Sequence, residues 1–227
     1  MKRACLCESP VCYYSCVVMS DATSEPILAG PGPQPPIVTL AARAQAALRG
    51  EGMIVLVGLM GVGKTTVGKA LAAELNVPFR DADVHIEEAA GKTINEIFAQ
   101  HGEQEFRRGE RRVISRLLID ERPHVLATGG GAFTDSKTRA LIKDRAVSVW
   151  LKADIDSLVK RVSRKNTRPL LRHGDPHEIL TRLYNERSPF YAEADVHAES
   201  SNGAVGDTVA RVLTGIRALA AEEGLQA

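Results

Sequence analysis

Hydrophobic and polar positions along this chain fall into blocks that predict strands and helices in turn. The run Met53–Val57 is apolar throughout, too short for a helix and bounded by glycines, which is typical of a strand buried on both faces. Similar runs predict strands over 124–128 and 146–151, and weaker signals predict strands over 77–82 and 195–198. The pattern therefore predicts five short strands.

Helical segments separate these strands. They are predicted over 39–49, 64–76, 84–119, 137–143, 156–163, 177–187 and 204–222. The long segment 84–119 should break at Gly91 and Gly102, whereas Gly68 inside the helix 64–76 predicts close packing against another element, because it costs about 1 kcal/mol relative to alanine. Strands that alternate with helices predict an α/β fold with a five-stranded parallel sheet covered on both faces.

Two segments lack this periodicity. Residues 25–36 are crowded with proline and glycine, which resist helix and sheet alike, so we interpret 1–38 as a disordered tail and linker. The rest, 39–227, is long enough for one domain. The stretch 164–177 is basic, polar and broken by prolines, and it predicts a mobile loop.

Charge and composition narrow the classes of function. The chain has 29 Lys and Arg against 28 Asp and Glu, so its summed field does not attract nucleic acid or an anionic membrane. Aromatic residues make up only 4% of the chain, which also argues against nucleic-acid binding. No window approaches the roughly 18 consecutive apolar residues that cross a bilayer. We expect neither a nucleic-acid partner nor a membrane span.

All the cysteines lie within the first sixteen residues, at Cys5, Cys7, Cys12 and Cys16. No disulfide can therefore cross-link the predicted core, and the absence of cysteines from it suits a cytoplasmic protein. A zinc knuckle is a weaker reading, because there is no paired C-x-x-C and no nearby histidine. A signal peptide is another, since Lys2 and Arg3 precede the apolar run 11–19, but Glu8 and Pro10 interrupt the stretch between those charges and the run.

The segment 58–65 matches G-x-x-x-x-G-K-[ST] and sits between a predicted buried strand and a helix. Its glycines let backbone N–H groups point at phosphate, and the helix N-terminus adds partial positive charge. Lys64 would reach the outer phosphates, and Thr65 would offer its hydroxyl to Mg²⁺. The sequence predicts a P-loop NTPase-type fold whose nucleotide contacts are Gly61, Val62, Gly63, Lys64, Thr65 and Thr66.

Asp81 and Asp83 follow each other by two residues at the end of the second predicted strand, where alternation would place both side chains on one side. Carboxylates at this edge of a parallel sheet can hold Mg²⁺ or orient an acceptor hydroxyl. Taken alone, such a pair is more often a turn or a helix cap.

Two further groups need more than spacing to interpret. Gly129, Gly130 and Gly131 end another strand at the same edge and would let a ligand approach the backbone closely. Arginines 107, 108, 111 and 112 alternate with glutamates, which is typical of a solvated helix face. Neither group identifies a ligand by itself.

With these motifs in order, the chain resembles the shikimate kinases over about residues 51–200. The resemblance rests on the P-loop, Asp81-Ala82-Asp83, Ile86-Glu87, the segment 102–108 (GEQEFRR), the triple glycine, Arg168-Pro169-Leu170-Leu171, and Glu186-Arg187 with Tyr191 close behind. Ala82 departs from the serine or threonine that relatives often carry, and its side chain should point away from the site.

The resemblance implies a fold, a reaction and a set of residue roles. Lys64 and the loop would bind ATP, Thr65 and Asp81 would organise Mg²⁺, and Asp83 would accept the proton of the shikimate 3-hydroxyl. Arg107 and Arg187 would hold the shikimate carboxylate, and the amides of Gly129, Gly130 and Gly131 would hold the ring. Arg168, on a closing lid at 164–177, would reach the transferring phosphoryl group, and Arg161 or Arg164 would stack on adenine.

Shikimate and ATP are thus the expected partners of a monomer that works in aromatic amino-acid biosynthesis. A gluconate-type kinase of the same fold is the nearest alternative, and Asp83, Arg107 and Arg187 taken together favour a carboxylated ring polyol instead. A nucleotide-binding module that has lost catalysis is a third reading, which the retained Lys64, Thr65 and aspartates oppose.

Overall fold

A computed structural model describes residues 39–120, 122–163, 174–200 and 203–221. The predicted tail 1–38 and most of the predicted loop 164–177 lie outside these residues. Five strands are present in the described part: β1 (Met53–Val57), β2 (Phe79–Asp81), β3 (His124–Ala127), β4 (Val147–Lys152) and β5 (Val196–Glu199).

The helices of the described residues connect these strands. They are α1 (Leu40–Leu48), α2 (Lys64–Glu74), α3 (Ala82–Ala90), α4 (Ile94–Ile119), α5 (Ser136–Arg145), α6 (Ile155–Val162), α7 (Pro176–Tyr191) and α8 (Val205–Ala221), with a short 3-10 helix at Ala132–Thr134. The helix α4 is broken at Gly102, whose backbone is left-handed (φ 77°). Gly91 ends α3 and also has a positive φ, of 61°. Both predicted breaks are confirmed.

The strands form one parallel sheet in the order β2-β3-β1-β4-β5. Leu56 of β1 pairs with Ala127 of β3 and Val149 of β4, and Asp81 of β2 pairs with the same Ala127. Parallel strands in this register end at a common edge, so the segments that follow β1, β2 and β3 emerge side by side. The predicted α/β fold with a five-stranded parallel sheet is confirmed.

Burial explains why the strand signals differ in strength. All of β1 is buried, whereas β5 at the sheet edge alternates between buried and exposed residues. Central strands therefore read as unbroken apolar runs, while β2 and β5 gave only weak signals. Among the residues that the structure describes, no helix is both long and apolar enough to span a bilayer.

The start and end of α7 differ from the prediction. Pro176 was interpreted as a breaker, but it lies in the first turn of α7 after the cap Asp175, where a missing N–H costs nothing. The helix was predicted to end near Arg187, yet it continues through Pro189 to Tyr191. This last turn carries Tyr191 into the core, where only 1% of it is exposed.

The interpretation of Gly68 as a packing residue agrees with its contacts. A β-carbon at this position would lie 2.5 Å from Phe79 Cε2 and 3.2 Å from Leu56 Cδ1. The absence of a side chain therefore lets α2 pack directly on the sheet, and this contact sets the distance between α2 and the strands.

Gly68→Ala should lower the free energy of unfolding by about 1–3 kcal/mol, because the added methyl group overpacks the interface between α2 and β2. Urea unfolding followed by circular dichroism measures this. Gly206→Ala is the matched control, since nothing lies within 4 Å of its added β-carbon and alanine favours a helix by up to about 1 kcal/mol. Equal stability of the two variants would contradict this role of Gly68.

Candidate active site

The P-loop lies between the end of β1 and the start of α2. Gly61 and Gly63 adopt left-handed backbone conformations with φ of 82° and 101°, which residues with side chains rarely adopt. Gly63 is the N-cap of α2, so the helix begins with backbone N–H groups beside the loop. Lys64 Nζ lies over the loop and donates to the carbonyls of Gly58 (2.7 Å) and Leu59 (2.9 Å).

Thr65 and Asp81 meet at the mouth of this loop. The Thr65 hydroxyl donates to Asp81 Oδ2 at 2.9 Å, and Asp81 Oδ1 accepts from the backbone N–H of Asp83 at 3.1 Å. Asp81 therefore caps α3, as one alternative reading of the aspartate pair predicted. Its carboxylate and the threonine hydroxyl are also the hard oxygen ligands that Mg²⁺ prefers.

The oxygen set at Thr65 and Asp81 fits Mg²⁺ better than a metal held entirely by side chains. Across the described ranges, no cluster of three or more His, Cys, Asp or Glu residues could hold a metal ion. Mg²⁺ usually takes only one or two protein ligands together with phosphate oxygens and water.

Asp83 does not lie where strand alternation placed it. The strand β2 ends at Asp81, and Asp83 is the second residue of α3. Its side chain nevertheless faces the same cavity as Lys64, Thr65 and Asp81. The predicted proximity of the two aspartates is therefore correct, but a helix turn rather than an extended strand produces it.

The triple glycine is in close contact with four polar side chains. A β-carbon at Gly129 would lie 2.5 Å from Glu110 Oε1 and 3.1 Å from Asp83 Oδ1. A β-carbon at Gly131 would lie 2.5 Å from Arg107 Nη1, and one at Gly130 would lie 3.3 Å from Arg187 Nη1. These glycines bring Asp83, Arg107 and Arg187 to one stretch of backbone.

Glu110 pairs with Arg107 inside this cluster. Arg107 Nη1 donates to Glu110 Oε2 at 2.7 Å, and Arg107 Nη2 donates to Glu103 Oε1 at 3.2 Å. Glu110 is only 3% exposed. Burial raises the pKa of its carboxyl group, and the positive charge of Arg107 opposes this rise only in part.

Tyr191 binds the triple glycine close to Arg187. Its hydroxyl donates a hydrogen bond to the carbonyl of Gly130, and the positive charge of Arg187 lies near enough to the phenol to oppose the rise of its pKa. Burial raises the pKa of Tyr191 to about 12, so the phenol is neutral and can donate at neutral pH. Tyr191 therefore holds the glycine backbone beside Arg187.

One cavity of about 1260 Å³ joins the P-loop to this cluster. That volume exceeds the roughly 300–1,000 Å³ of a pocket for one small ligand, and so leaves room for two. Its wall includes Lys64, Thr65, Asp81, Asp83, Gly129, Gly130 and Arg161. Arg107 and Arg187 are not part of this wall. Arg187 lies against Gly130, which does line the cavity, and Arg107 lies against Gly131, the next residue of the chain.

The remaining predicted residues divide into two groups. Arg161 lies at the P-loop end of the cavity, where its guanidinium donates to the Val62 carbonyl at 3.3 Å. Arg164 and Arg168 lie outside the described residues, so their predicted roles stay predictions.

Glu110 was missed by sequence reasoning, which read residues 107–112 as a solvated helix face. Its spacing of three residues from Arg107 permits an ion pair on the helix. That spacing does not reveal burial, which comes from the packing of α4 against the segment after β3.

Comparisons with known proteins identify one family. The protein-family model for shikimate kinase matches residues 60–217 of this chain. A shikimate kinase of Caulobacter vibrioides is 60% identical over 164 residues, which cover 72% of this chain and 82% of that protein. A shikimate kinase of Novosphingobium aromaticivorans is 57% identical over 166 residues, covering 72% of this chain and 86% of the relative.

Solved structures give the same result. The structure of shikimate kinase from Acinetobacter baumannii in complex with shikimate is similar with a TM-score of 0.72 and 38% identity, covering 77% of this chain and 97% of that one. A gluconokinase from Sinorhizobium meliloti is similar with a TM-score of 0.53 and 20% identity, covering 79% of this chain and 99% of that one. The second likeness shows a common fold only.

The raised pKa of Glu110 predicts a pH dependence of stability. The buried carboxyl group ionises less readily in the folded state than in the unfolded state. The free energy of unfolding of the wild type, relative to that of Glu110→Gln, should therefore fall as the pH rises from below the ordinary pKa of 4.5 through the raised pKa. Chemical unfolding of both proteins between pH 3.5 and about 7 measures this difference.

Glu96 provides a control of opposite sign. Hydrogen bonds from the Thr93 hydroxyl and backbone N–H lower its pKa below 4.5, so wild-type stability relative to Glu96→Gln should fall as pH drops through that lowered pKa. If both pairs show the same sign, the assignment for Glu110 is wrong.

Proposed function

Because the chain belongs to the shikimate kinase family, we propose that the cavity at the carboxyl edge of its sheet holds ATP and shikimate side by side for direct phosphoryl transfer. The enzyme transfers the terminal phosphoryl group of ATP to a hydroxyl group of shikimate. The observation that supports this location most strongly is the contact of Asp83, Arg107 and Arg187 with the triple glycine, next to the P-loop.

The nucleotide would occupy the P-loop end of the cavity. Backbone N–H groups of Gly61–Lys64 and the N-terminus of α2 would bind its phosphates, and the Lys64 ammonium would hold the outer ones. The guanidinium of Arg161 would contact the adenine. Thr65 and Asp81 would hold Mg²⁺, which when bound neutralises charge on the phosphate oxygens.

Shikimate would occupy the end formed by the triple glycine. Its carboxylate would bind to Arg107 and Arg187, whose planar guanidinium groups match a carboxylate with paired donors. The ring would lie against the backbone of Gly129–Gly131. Glu110 and Tyr191 would act as positioning residues, since Glu110 pairs with Arg107 and Tyr191 binds the Gly130 carbonyl.

In this arrangement the 3-hydroxyl oxygen of shikimate attacks the γ-phosphorus of ATP. A new P–O bond forms, the bond between the γ-phosphorus and the bridging oxygen breaks, and its electron pair stays on ADP. Asp83 takes the hydroxyl proton. Positioning and charge stabilisation supply most of the catalysis in phosphoryl transfer, and Arg168 would add a positive charge as the lid over 164–177 closes.

The wider setting of the enzyme also follows from the sequence. We propose that the described elements belong to one domain, in which the helical region 84–119 forms the shikimate side. We also propose that the enzyme is a cytoplasmic monomer. The cysteine distribution supports the cytoplasm, and the balanced charge argues against a nucleic-acid or membrane partner.

ADP release measured with shikimate, gluconate and quinate in parallel tests the substrate. We expect turnover with shikimate in the ordinary range of about 1–100 s⁻¹ and at least about 100-fold lower kcat/KM with the other two. The paired arginines and Asp83 fix one ring geometry, and a misplaced hydroxyl loses the in-line alignment. Turnover that is equal on all three, or absent on shikimate, would contradict the proposal.

Asp83→Asn should lower kcat by about 10²–10⁴-fold, because an amide cannot take the proton, while the dissociation constant for ADP changes little. Steady-state kinetics and calorimetry of ADP binding measure the two effects. Asp207→Asn, an exposed acid in the first turn of α8, is the control and should behave as wild type. A fully active Asp83→Asn enzyme would remove the proposed role.

A further inference from the structure

The carbonyl of Val62 accepts two hydrogen bonds from outside the P-loop. A P-loop turns its N–H groups inward to phosphate, so some of its carbonyls must find donors elsewhere. The hydroxyl of Ser200 donates to Val62 O at 2.8 Å, and Arg161 Nη1 donates to the same oxygen at 3.3 Å. The backbone that precedes Gly63 is therefore held from the β5 side of the sheet.

Ser200 is itself held firmly. It follows the last residue of β5, is 7% exposed, and its backbone N–H donates to the carbonyl of Lys152, the last residue of β4, at 2.6 Å. The backbone that carries this hydroxyl is therefore fixed to the sheet. A donor fixed in this way orders its partner at little cost in conformational entropy.

Ser200 also binds the edge of the Arg161 guanidinium. Arg161 Nη1 donates to the Ser200 hydroxyl and Nη2 donates to the Ser200 carbonyl, both at 3.3 Å. Hydrogen bonds occupy the edge of a guanidinium plane, whereas a base stacks on its face. Arg161, Ser200 and Val205 all line the P-loop end of the cavity, so this contact orients the group that faces the base.

We propose that Ser200 is a positioning residue for the nucleotide, which couples the phosphate loop at Val62 to the base contact at Arg161. The Ser200 hydroxyl donates a hydrogen bond to the Val62 carbonyl and accepts one from the Arg161 guanidinium. Alanine loses both bonds, whereas threonine can keep both. This inference rests on the proposed function, since it assigns the nucleotide to this end of the cavity.

Ser200→Ala should raise the KM for ATP and the dissociation constant for ADP by about 3- to 30-fold, as expected for two lost hydrogen bonds of which one involves a charged donor. The KM for shikimate should stay within about twofold of wild type, because Ser200 lies at the other end of the cavity. Ser200→Thr should restore most of the ATP affinity. Steady-state kinetics and calorimetry measure these values.

Ser148→Ala is the matched control. Ser148 is also a buried serine, on β4, and its hydroxyl donates to Asp195 at 2.6 Å, so its loss should lower stability without changing either KM. Unchanged ATP affinity in Ser200→Ala, or an equal rise of both KM values, would overturn the proposal. A wild-type enzyme with no turnover on shikimate would instead contradict the proposed function.

A double-mutant cycle tests the coupling itself. If Ser200 works through Arg161, the loss of ADP affinity in Ser200→Ala/Arg161→Ala should be at least about threefold smaller than the product of the single losses. Losses that multiply would show that the two side chains act independently, and would overturn the coupling.

Discussion

The absence of side chains at Gly129–Gly131 is the constraint on which the site depends. Four polar side chains lie so close to this backbone that a β-carbon at Gly129 or Gly131 would come within 2.5 Å of a glutamate oxygen or an arginine nitrogen. A β-carbon at Gly130 would also lie 3.6 Å from the N–H nitrogen of Met60 in the P-loop. The backbone at Gly130 is therefore close to both Arg187 and the P-loop.

The close packing of charged side chains around the triple glycine would be unfavourable if their charges were unpaired. Arg107 and Arg187 face Asp83 and Glu110 in a partly buried space, where unpaired charges would be costly. Arg107 pairs directly with Glu110, and the neutral hydroxyl of Tyr191 binds the Gly130 carbonyl next to Arg187. An incoming carboxylate would meet an Arg107 side chain that is already oriented, so less ordering remains for the substrate to drive.

At the nucleotide end of the cavity, two side chains each make two supporting contacts. Asp81 caps α3 and also accepts from Thr65, while Ser200 satisfies the Val62 carbonyl and also binds Arg161. Residues at the ends of β2 and β5 thus support the loop that follows β1. The strand order places these ends on either side of that loop.

The sequence predicted the strands and the P-loop because these depend on local signals. An apolar run marks a strand buried on both faces, and the spacing of Gly58, Gly63 and Lys64 encodes a loop geometry directly. The position of Asp83 was reached by a wrong step, since β2 is only three residues long and a helix starts at Ala82. The spacing around Glu110 did not distinguish a buried acid from a surface one, because its burial depends on contacts between distant segments.

The most direct test of the central claim is a crystal structure of the protein with shikimate and ADP. The shikimate carboxylate should lie within about 3 Å of guanidinium nitrogens of both Arg107 and Arg187, with the 3-hydroxyl at hydrogen-bonding distance from Asp83 and directed toward the ADP phosphates. Shikimate bound with its carboxylate away from both arginines, or in a cavity that does not contain Lys64, would contradict the account.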